Sequence, residues 1–429
     1  DVYKRQIYDQ VFQNGSFHEQ KFKDLLSLGM KTLKSFLSFY RIRQDDYLQG
    51  ISLLEELSER KWESEFNKTK KLTSQSAEKQ PGPLQEKALR HFRLQELTIS
   101  FQKGTTKRKA DDTIQVGADL LDSYYLLARL KYAVEMANRR NVIGQEFEPG
   151  LLTPLLAYIE SHPEEVAERP AIQIYMLIYQ SLVDPENTAP FQSLLLLLAQ
   201  YVSGFPKAER SEIYAYALNF CIQQINRGRR EFLTTLLDLY QGALNDETLL
   251  KDGWLSQWDY KNIVTAGLKA GNFEWCAEFI ETYKAKIEPS ARENAHTYNL
   301  ASLLYEQGDY RQSLQLLQHV EFTDVFYHLG SKVLLLKAYF ETQNWEPLLH
   351  LCETFRMYLK RNTGLSKYHY TINMNLISLT RKLADITSRW PDLRASDKAT
   401  QKAKILKAIE DKGNVAQKAW LIGKVNTLD

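Results

Sequence analysis

Residues that interrupt helices are scarce in this chain, and this scarcity constrains its fold more than any other feature of the sequence. There are 19 glycines and 12 prolines among 429 residues, together about 7%, whereas an average protein has about 12%. No segment longer than five residues alternates apolar and polar side chains as a half-buried strand does. The sequence therefore predicts an all-α fold with almost no sheet.

The N-terminal part predicts a series of helices. Apolar residues between Phe22 and Leu37 recur at helical spacing, which indicates one apolar face. A second helix is expected to begin at Asp45 or Asp46, because acidic residues favour a helix N-terminus. This helix is expected to continue beyond Arg60 with polar residues all round.

Three short segments of the second half share one pattern, a turn-forming residue followed by a short polar residue and an aromatic residue. They are Gly271-Asn272-Phe273, Gly308-Asp309-Tyr310 and Gln343-Asn344-Trp345. Successive segments lie 37 and 35 residues apart. Glycine tolerates positive φ at a helix end, and asparagine or aspartate can cap the next helix. Apolar stripes flank each segment, so each predicts a corner between two antiparallel helices.

On these turns and their flanks, residues 254–361 resemble the tetratricopeptide (TPR) family, whose repeat is about 34 residues long. The pattern is degenerate, because the small residue early in the second helix is present as Ser313 but replaced by Leu348. Upstream, the turn at Gly228 lies 43 residues before Gly271, a longer spacing than the family has. The resemblance, which extends to bacterial TPR-like repeat proteins, implies a right-handed α-solenoid of helix pairs and no particular function.

The sequence suggests three regions along the chain. Residues 7–110 are expected to form a helical N-terminal region, and residues 111–361 a TPR-like solenoid whose best repeats span 254–361. Residues 362–429 are expected to form C-terminal capping helices and a basic tail, because a solenoid needs a closing element with a polar outer face.

The resemblance also implies a binding groove, since the first helices of stacked pairs line a concave surface. Carried over to the three best repeats, its positions are Lys261, Thr265, Lys269, Tyr298, Ser302, Tyr305, Glu306, Lys337, Phe340 and Glu341. Equally, the polar members could be merely exposed and the aromatic members merely packed. Because the groove is mixed in charge, we expect a protein or peptide segment as its ligand.

No pattern of a catalytic, cofactor or metal site occurs in the sequence. It contains no GxGxxG, GxxxxGK[ST], GxSxG or HExxH motif. Cys221, Cys276 and Cys352 form no CxxC pair and lie in apolar helical stretches, which is typical of buried thiols in a reducing, cytoplasmic compartment. We therefore expect a non-catalytic scaffold or adaptor that needs no cofactor or metal.

Two alternatives stay open from the residues alone. One is an all-α enzyme of toroid type, which would bring acidic residues together in a deep pocket. The other is a regulator that contacts nucleic acid through the basic loop 103–109 or the basic C-terminal tail. With 55 basic and 53 acidic residues, the chain has no overall basic excess, so nucleic acid is the less favoured partner.

Neither a membrane span nor a secretory signal is visible. The most apolar run, Phe191–Val202, is shorter than the roughly 20 residues that cross a bilayer. The N-terminal residues show no basic segment followed by an apolar stretch. Because the sequence begins at Asp1 and not at a methionine, the question whether a further segment precedes it stays open.

Overall fold

The computed structural model describes residues 18–80, 82–103, 112–318, 324–362 and 364–428, together with residues 6, 8 and 10. The chain divides into two compact units, Asp1–Phe220 and Cys221–Asp429. Helices dominate both units. In the described ranges the strands are β1 (Leu250–Lys251) and β2 (Trp254–Leu255), which form one antiparallel pair. The predicted all-α fold is confirmed.

The first unit is a succession of helices. They are α1 (Glu19–Arg43), α2 (Asp46–Glu59), α3 (Glu63–Lys79), α4 (Leu84–Lys103), α5 (Thr113–Ile143), α6 (Leu152–Ser161), α7 (Pro163–Ala167), α8 (Pro170–Val183), α9 (Ala189–Tyr201) and the greater part of α10 (Lys207–Asn226). In this unit, each helix from α1 to α8 contacts the next one along the chain. Helix α5 packs against both α4 and α8, and α8 packs against α9. The core between α2, α3 and α4 includes Phe66 and Phe101, whose rings stack 4.0 Å apart.

The predicted continuation of the second helix beyond Arg60 is wrong. Helix α2 begins at Asp46, with Asp45 as its capping residue, and ends at Glu59. Lys61 then adopts a φ of 56°, and the amide of Trp62 donates a hydrogen bond to the carbonyl of Leu57. A lysine in the left-handed region makes the turn that glycine usually makes, so no glycine signals this corner in the sequence.

The second unit continues with shorter helices. They are the end of α10, then α11 (Phe232–Asn245), α12 (Gln257–Lys269), α13 (Phe273–Lys284), α14 (Arg292–Glu306), α15 (Tyr310–Gln318), α16 (Val325–Glu341), α17 (Trp345–Arg361), α18 (Lys367–Ser388), α19 (Ala395–Asp411) and α20 (Lys418–Asn426). Each helix from α11 to α19 contacts the next one along the chain. Helix α14 additionally contacts both α12 and α16.

The three predicted corners have the same backbone geometry. Their first residues all have positive φ, namely 79° at Gly271, 89° at Gly308 and 54° at Gln343. At each corner the next amide donates to the carbonyl five residues earlier, a Schellman closure of the preceding helix. The pairs are Asn272 with Gly267, Asp309 with Leu304, and Asn344 with Tyr339, at 2.9–3.0 Å. Three equivalent bends therefore connect α12 to α13, α14 to α15 and α16 to α17.

Equivalent positions around the three corners are also buried. The residues seven before and five after the positive-φ residue are fully inaccessible in each helix pair. These residues are Val264 and Cys276, Ala301 and Ser313, and Leu336 and Leu348. The Ser313 hydroxyl donates to the carbonyl of Ala301 at 2.8 Å, so a small polar side chain is satisfied at this contact. In the third pair, two leucines fill the same positions with apolar volume.

Candidate protein-binding surface

The ten predicted groove positions lie on the first helices of the three pairs. Helix α12 carries Lys261, Thr265 and Lys269, helix α14 carries Tyr298, Ser302, Tyr305 and Glu306, and helix α16 carries Lys337, Phe340 and Glu341. The structure divides these positions into a group around Lys261, a group around Glu341, and two exposed residues on α12. The three groups differ in what already contacts them.

Lys261 is held against two tyrosine rings. Its Nζ lies 4.8 Å from the ring centroid of Tyr298 and 4.9 Å from that of Tyr327, within cation–π range. The two rings meet edge to face at 5.1 Å. A β-carbon at Gly330 would lie 2.7 Å from Tyr298 Oη and 3.2 Å from Lys261 Nζ, so the absence of a side chain on α16 makes room for both groups.

The charge of Lys261 is poorly compensated. Burial lowers the pKa of its ammonium to about 8, and the nearby carboxylate of Asp324 opposes this shift in part. Asp324 is itself engaged in capping α16, because its Oδ1 accepts from the amides of Phe326 and Tyr327 at 2.8 and 3.0 Å. Among the described residues, Lys261 forms no ion pair. Lys261 is therefore a half-buried cation that lies against aromatic rings.

Three exposed aromatic residues continue from the ring of Tyr327, which Trp258 meets at 5.4 Å, and we call Trp258, Phe326 and Tyr368 the aromatic ledge. Their exposed fractions are 36%, 44% and 59%. Trp258 meets Phe326 edge to face at 5.9 Å, and Phe326 meets His369 in the same way at 5.3 Å. Exposed aromatic side chains in one area are typical of binding hot spots.

The sequence contained a signal for the aromatic ledge that our prediction missed. Each of its residues stands two positions after the residue that caps its helix. The capping residues are Ser256 for α12, Asp324 for α16 and Ser366 for α18. A capped first turn holds the ring near the helix end, where it is less readily covered by the next helix. Helical spacing alone does not select this position.

The group around Glu341 is already occupied by the C-terminal helix α20. The Trp420 indole Nε1 and the Tyr305 hydroxyl both donate to Glu341 Oε1 at 3.0 Å, and Lys424 Nζ lies 2.6 Å from Oε2. The ring of Phe340 meets that of Trp420 edge to face at 5.4 Å. The structure brings these predicted groove residues together but covers them with a segment of the same chain.

Lys337 has a different environment from Lys261. Its Nζ lies 4.2 Å over the ring of Tyr305 and 3.6 Å from Glu306 Oε1. Burial lowers the pKa of Lys337, and the carboxylate of Glu306 opposes that shift. This lysine therefore has the acidic partner that Lys261 lacks.

The remaining predicted positions offer few polar groups to a ligand. Thr265 Oγ1 donates to the carbonyl of Lys261 at 2.7 Å, and Ser302 Oγ donates to that of Tyr298 at 2.8 Å, so both hydroxyls are engaged within their own helices. Thr265 and Lys269 line a shallow cavity of about 260 Å³ with apolar residues of α10 and α11. This cavity provides apolar contact area beside α12.

The three cysteines lie in the second unit. Cys221, Cys276 and Cys352 are free and buried. Burial raises their thiol pKa values to about 12, 11 and 11, respectively, so these thiols are protonated and poorly nucleophilic. Across the same residues, no group of three or more histidine, cysteine, aspartate or glutamate side chains could hold a metal ion.

Lysines of the basic tail hold the C-terminal segment together. Lys398 lies over the ring of Trp390 at 5.5 Å, and Lys402 donates to the carbonyl of Leu428 at 2.9 Å. Lys412 donates to Asn375 Oδ1 at 3.0 Å. Three lysines of the tail therefore make contacts within residues 362–429. Of the basic loop 103–109, the structure describes Lys103, and residues 104–109 lie outside the described residues.

A buried charge cluster in the first unit was not predicted. Glu209 is 1% exposed and accepts hydrogen bonds from the Tyr175 hydroxyl and, at 3.1 Å, from the amide of Leu84. Lys131 Nζ lies 3.2 Å from Glu209 and 2.7 Å from Glu212. These residues come from distant parts of the sequence, so no local motif brings them together. The cluster links α5, α8 and α10 and the start of α4.

Comparison with known proteins adds no family assignment. No protein-family model matches the sequence, and no curated protein matches it. Within the described residues, no helix is both long enough and apolar enough to cross a membrane.

Proposed function

We propose that the protein is a non-catalytic scaffold or adaptor whose second unit binds a segment of a partner protein. In this proposal α12–α17 form a right-handed solenoid of TPR-like helix pairs, and the first helices present the binding surface. Three equivalent turns and six equivalent buried positions support a repeat. The contacts of α14 with both α12 and α16 are those expected of first helices in stacked pairs.

The observation that carries the proposal is the uncompensated charge of Lys261 beside the aromatic ledge. Lys337 has a comparable position over a tyrosine ring, but it has Glu306 3.6 Å away. A carboxylate from a bound segment would give Lys261 the same compensation. The exposed rings of the ledge would bury apolar side chains next to that carboxylate. The expected ligand is therefore a peptide segment that combines an acidic residue with aromatic or aliphatic residues.

The binding experiment uses the full chain as bait for a displayed library of random linear peptides. Enriched peptides are synthesised with a fluorophore, and their affinities are measured by fluorescence anisotropy. We expect enrichment of acidic residues next to apolar ones. Lys261→Met and Phe326→Ala should each weaken binding by at least about tenfold, because each removes a central contact.

Lys360→Met is the matched control, since Lys360 is exposed on α17, outside the first helices. This variant should bind the peptides like the unmodified protein. The proposal fails if the library yields no specific peptide. It also fails if the enriched peptides bind Lys261→Met, Phe326→Ala and the control with equal affinity.

A further inference from the structure

Helix α1 leaves most of its apolar side chains uncovered. Within this helix, Phe22 is buried and Leu25 is half-buried. Nine further large apolar side chains of α1 are between 38% and 62% exposed. They are Leu26, Leu28, Met30, Leu33, Phe36, Leu37, Phe39, Tyr40 and Ile42. Exposed apolar patches of this extent mark interaction surfaces.

The apolar side chains cover a wide sector of the helix. At about 100° per residue, the positions from Leu28 through Phe36 to Met30 span roughly 200° of the circumference. A helix that packs on one neighbouring element needs an apolar stripe of only about 100°. The sector is therefore wider than a single protein partner would cover.

The opposite sector of α1 is basic. It contains Lys23, Lys31, Lys34 and Arg41, with Asp24 as its acidic residue, whereas Glu19, Lys21 and Arg43 lie at helical angles inside the apolar sector. Arg41 lies 4.0 Å from Asp45. Lys23 is paired with Glu19 at 2.8 Å, one turn earlier. Lys23, Lys34 and Arg41 lie close to one edge of the apolar sector at helical spacing.

The basic residues along this edge favour an anionic lipid surface over a second copy of α1 as the partner of the apolar sector. Two copies of α1 lying side by side would bring like charges together, which costs stability. An anionic lipid surface offers the opposite charge and also accepts a broad apolar sector. A helix with lysine and arginine on one face and leucine and phenylalanine on the other lies in the plane of a membrane interface.

We propose that α1 is an amphipathic membrane-surface helix that binds anionic lipid. Its leucine, methionine and phenylalanine side chains enter the boundary between head groups and acyl chains. Lys34 and Arg41, which lie beside the edge of the apolar sector, contact the anionic head groups. The helix does not cross the bilayer. This inference is independent of the peptide-binding proposal, because it concerns the first unit alone.

The experiment is co-sedimentation of the full chain with two kinds of vesicle, pure phosphatidylcholine and a 7:3 mixture of phosphatidylcholine and phosphatidylglycerol. We expect binding to the mixed vesicles to exceed binding to the neutral ones by at least about tenfold at low salt. Leu33→Glu/Leu37→Glu should reduce binding to mixed vesicles by at least about tenfold. Lys34→Gln/Arg41→Gln should reduce the preference for anionic vesicles.

Leu196→Glu is the matched control, because Leu196 is 73% exposed on α9 and belongs to another surface. It should bind vesicles like the unmodified chain. Circular dichroism of all variants checks that the exposed substitutions leave the helices intact. The inference is overturned if the chain binds neither vesicle, or if Leu33→Glu/Leu37→Glu binds as well as the control. It is also overturned if the chain forms a dimer in the absence of lipid and Leu33→Glu/Leu37→Glu dissociates that dimer, because α1 then pairs with α1 of a second copy.

Discussion

Exchanging the residue type at two equivalent corners should change stability in opposite directions. Gly308 has a φ of 89°, and Gln343 occupies the equivalent corner with a φ of 54°. A non-glycine residue in the left-handed region costs about 1–2 kcal/mol. Exchanging glycine for alanine also makes the unfolded chain less flexible, which offsets about 0.4–1 kcal/mol of this strain. We therefore expect Gly308→Ala to lower the free energy of unfolding of the second unit by up to about 1.5 kcal/mol. Gln343→Gly reverses both effects, so it should raise the free energy of unfolding by up to about 1.5 kcal/mol.

Tryptophan fluorescence during urea or thermal denaturation measures these changes selectively. The chain has seven tryptophans, of which Trp62 is the one in the first unit. For a unit of roughly 200 residues, 1 kcal/mol corresponds to about 2–4 °C in Tm. Gly308→Ala should lower the fluorescence-detected Tm by up to about 6 °C, and Gln343→Gly should raise it by up to about 6 °C.

Gly423→Ala provides a control with a different backbone conformation. Gly423 lies within α20, and a β-carbon there would meet no atom within 4 Å. Alanine favours a helix interior over glycine, so this variant should gain up to about 1 kcal/mol. If Gly308→Ala is as stable as the unmodified chain, or if Gln343→Gly is less stable, the assignment of equivalent left-handed corners is refuted.

Three further outcomes follow from buried groups. Glu209→Ala should destabilise the first unit by about 2–3 kcal/mol, because it removes the acceptor of the Leu84 amide and leaves Lys131 and the Tyr175 hydroxyl with Glu212 alone. Glu212→Ala, which removes a side chain that is 36% exposed, should cost about 1 kcal/mol. Urea denaturation followed by circular dichroism compares the two variants. Gly267→Val should destabilise the second unit by about 1–3 kcal/mol in the fluorescence assay, since even a β-carbon at this position would lie 2.4 Å from Cys276 Sγ. Burial raises the thiol pKa of Cys276 and Cys352 to about 11, so iodoacetamide at pH 8 should alkylate both far more slowly in native protein than in urea. Mass spectrometry measures the two rates, and equal rates in native protein and in urea would contradict this reasoning.

Local patterns in the sequence were enough to predict much of the helical architecture. The scarcity of helix breakers predicted the all-α fold. The corners at Gly271, Gly308 and Gln343 were predicted correctly, because positive φ and capping depend on a few adjacent residues. The corner at Lys61 was missed for the same reason, since its left-handed residue is not a glycine.

The candidate site could be predicted only in part. The ten positions carried over from the TPR resemblance lie on α12, α14 and α16. The resemblance did not indicate that Trp258, Phe326 and Tyr368 would stay exposed, because exposure depends on which helices pack nearby. The capping residue two positions before each ring was the available signal.

The sequence by itself determined where the helices lie and which residues make the corners, because both depend on neighbours within a few positions along the chain. Only the tertiary structure decided which charges have partners. Glu341 is covered by Trp420 and Lys424, about 80 residues away in sequence, whereas Lys261 has aromatic rings but no carboxylate partner among the described residues. Such pairings arise from the packing of distant segments and leave no local pattern in the sequence. The difference between Glu341, which has partners, and Lys261, which has no carboxylate partner among the described residues, therefore appears only in three dimensions.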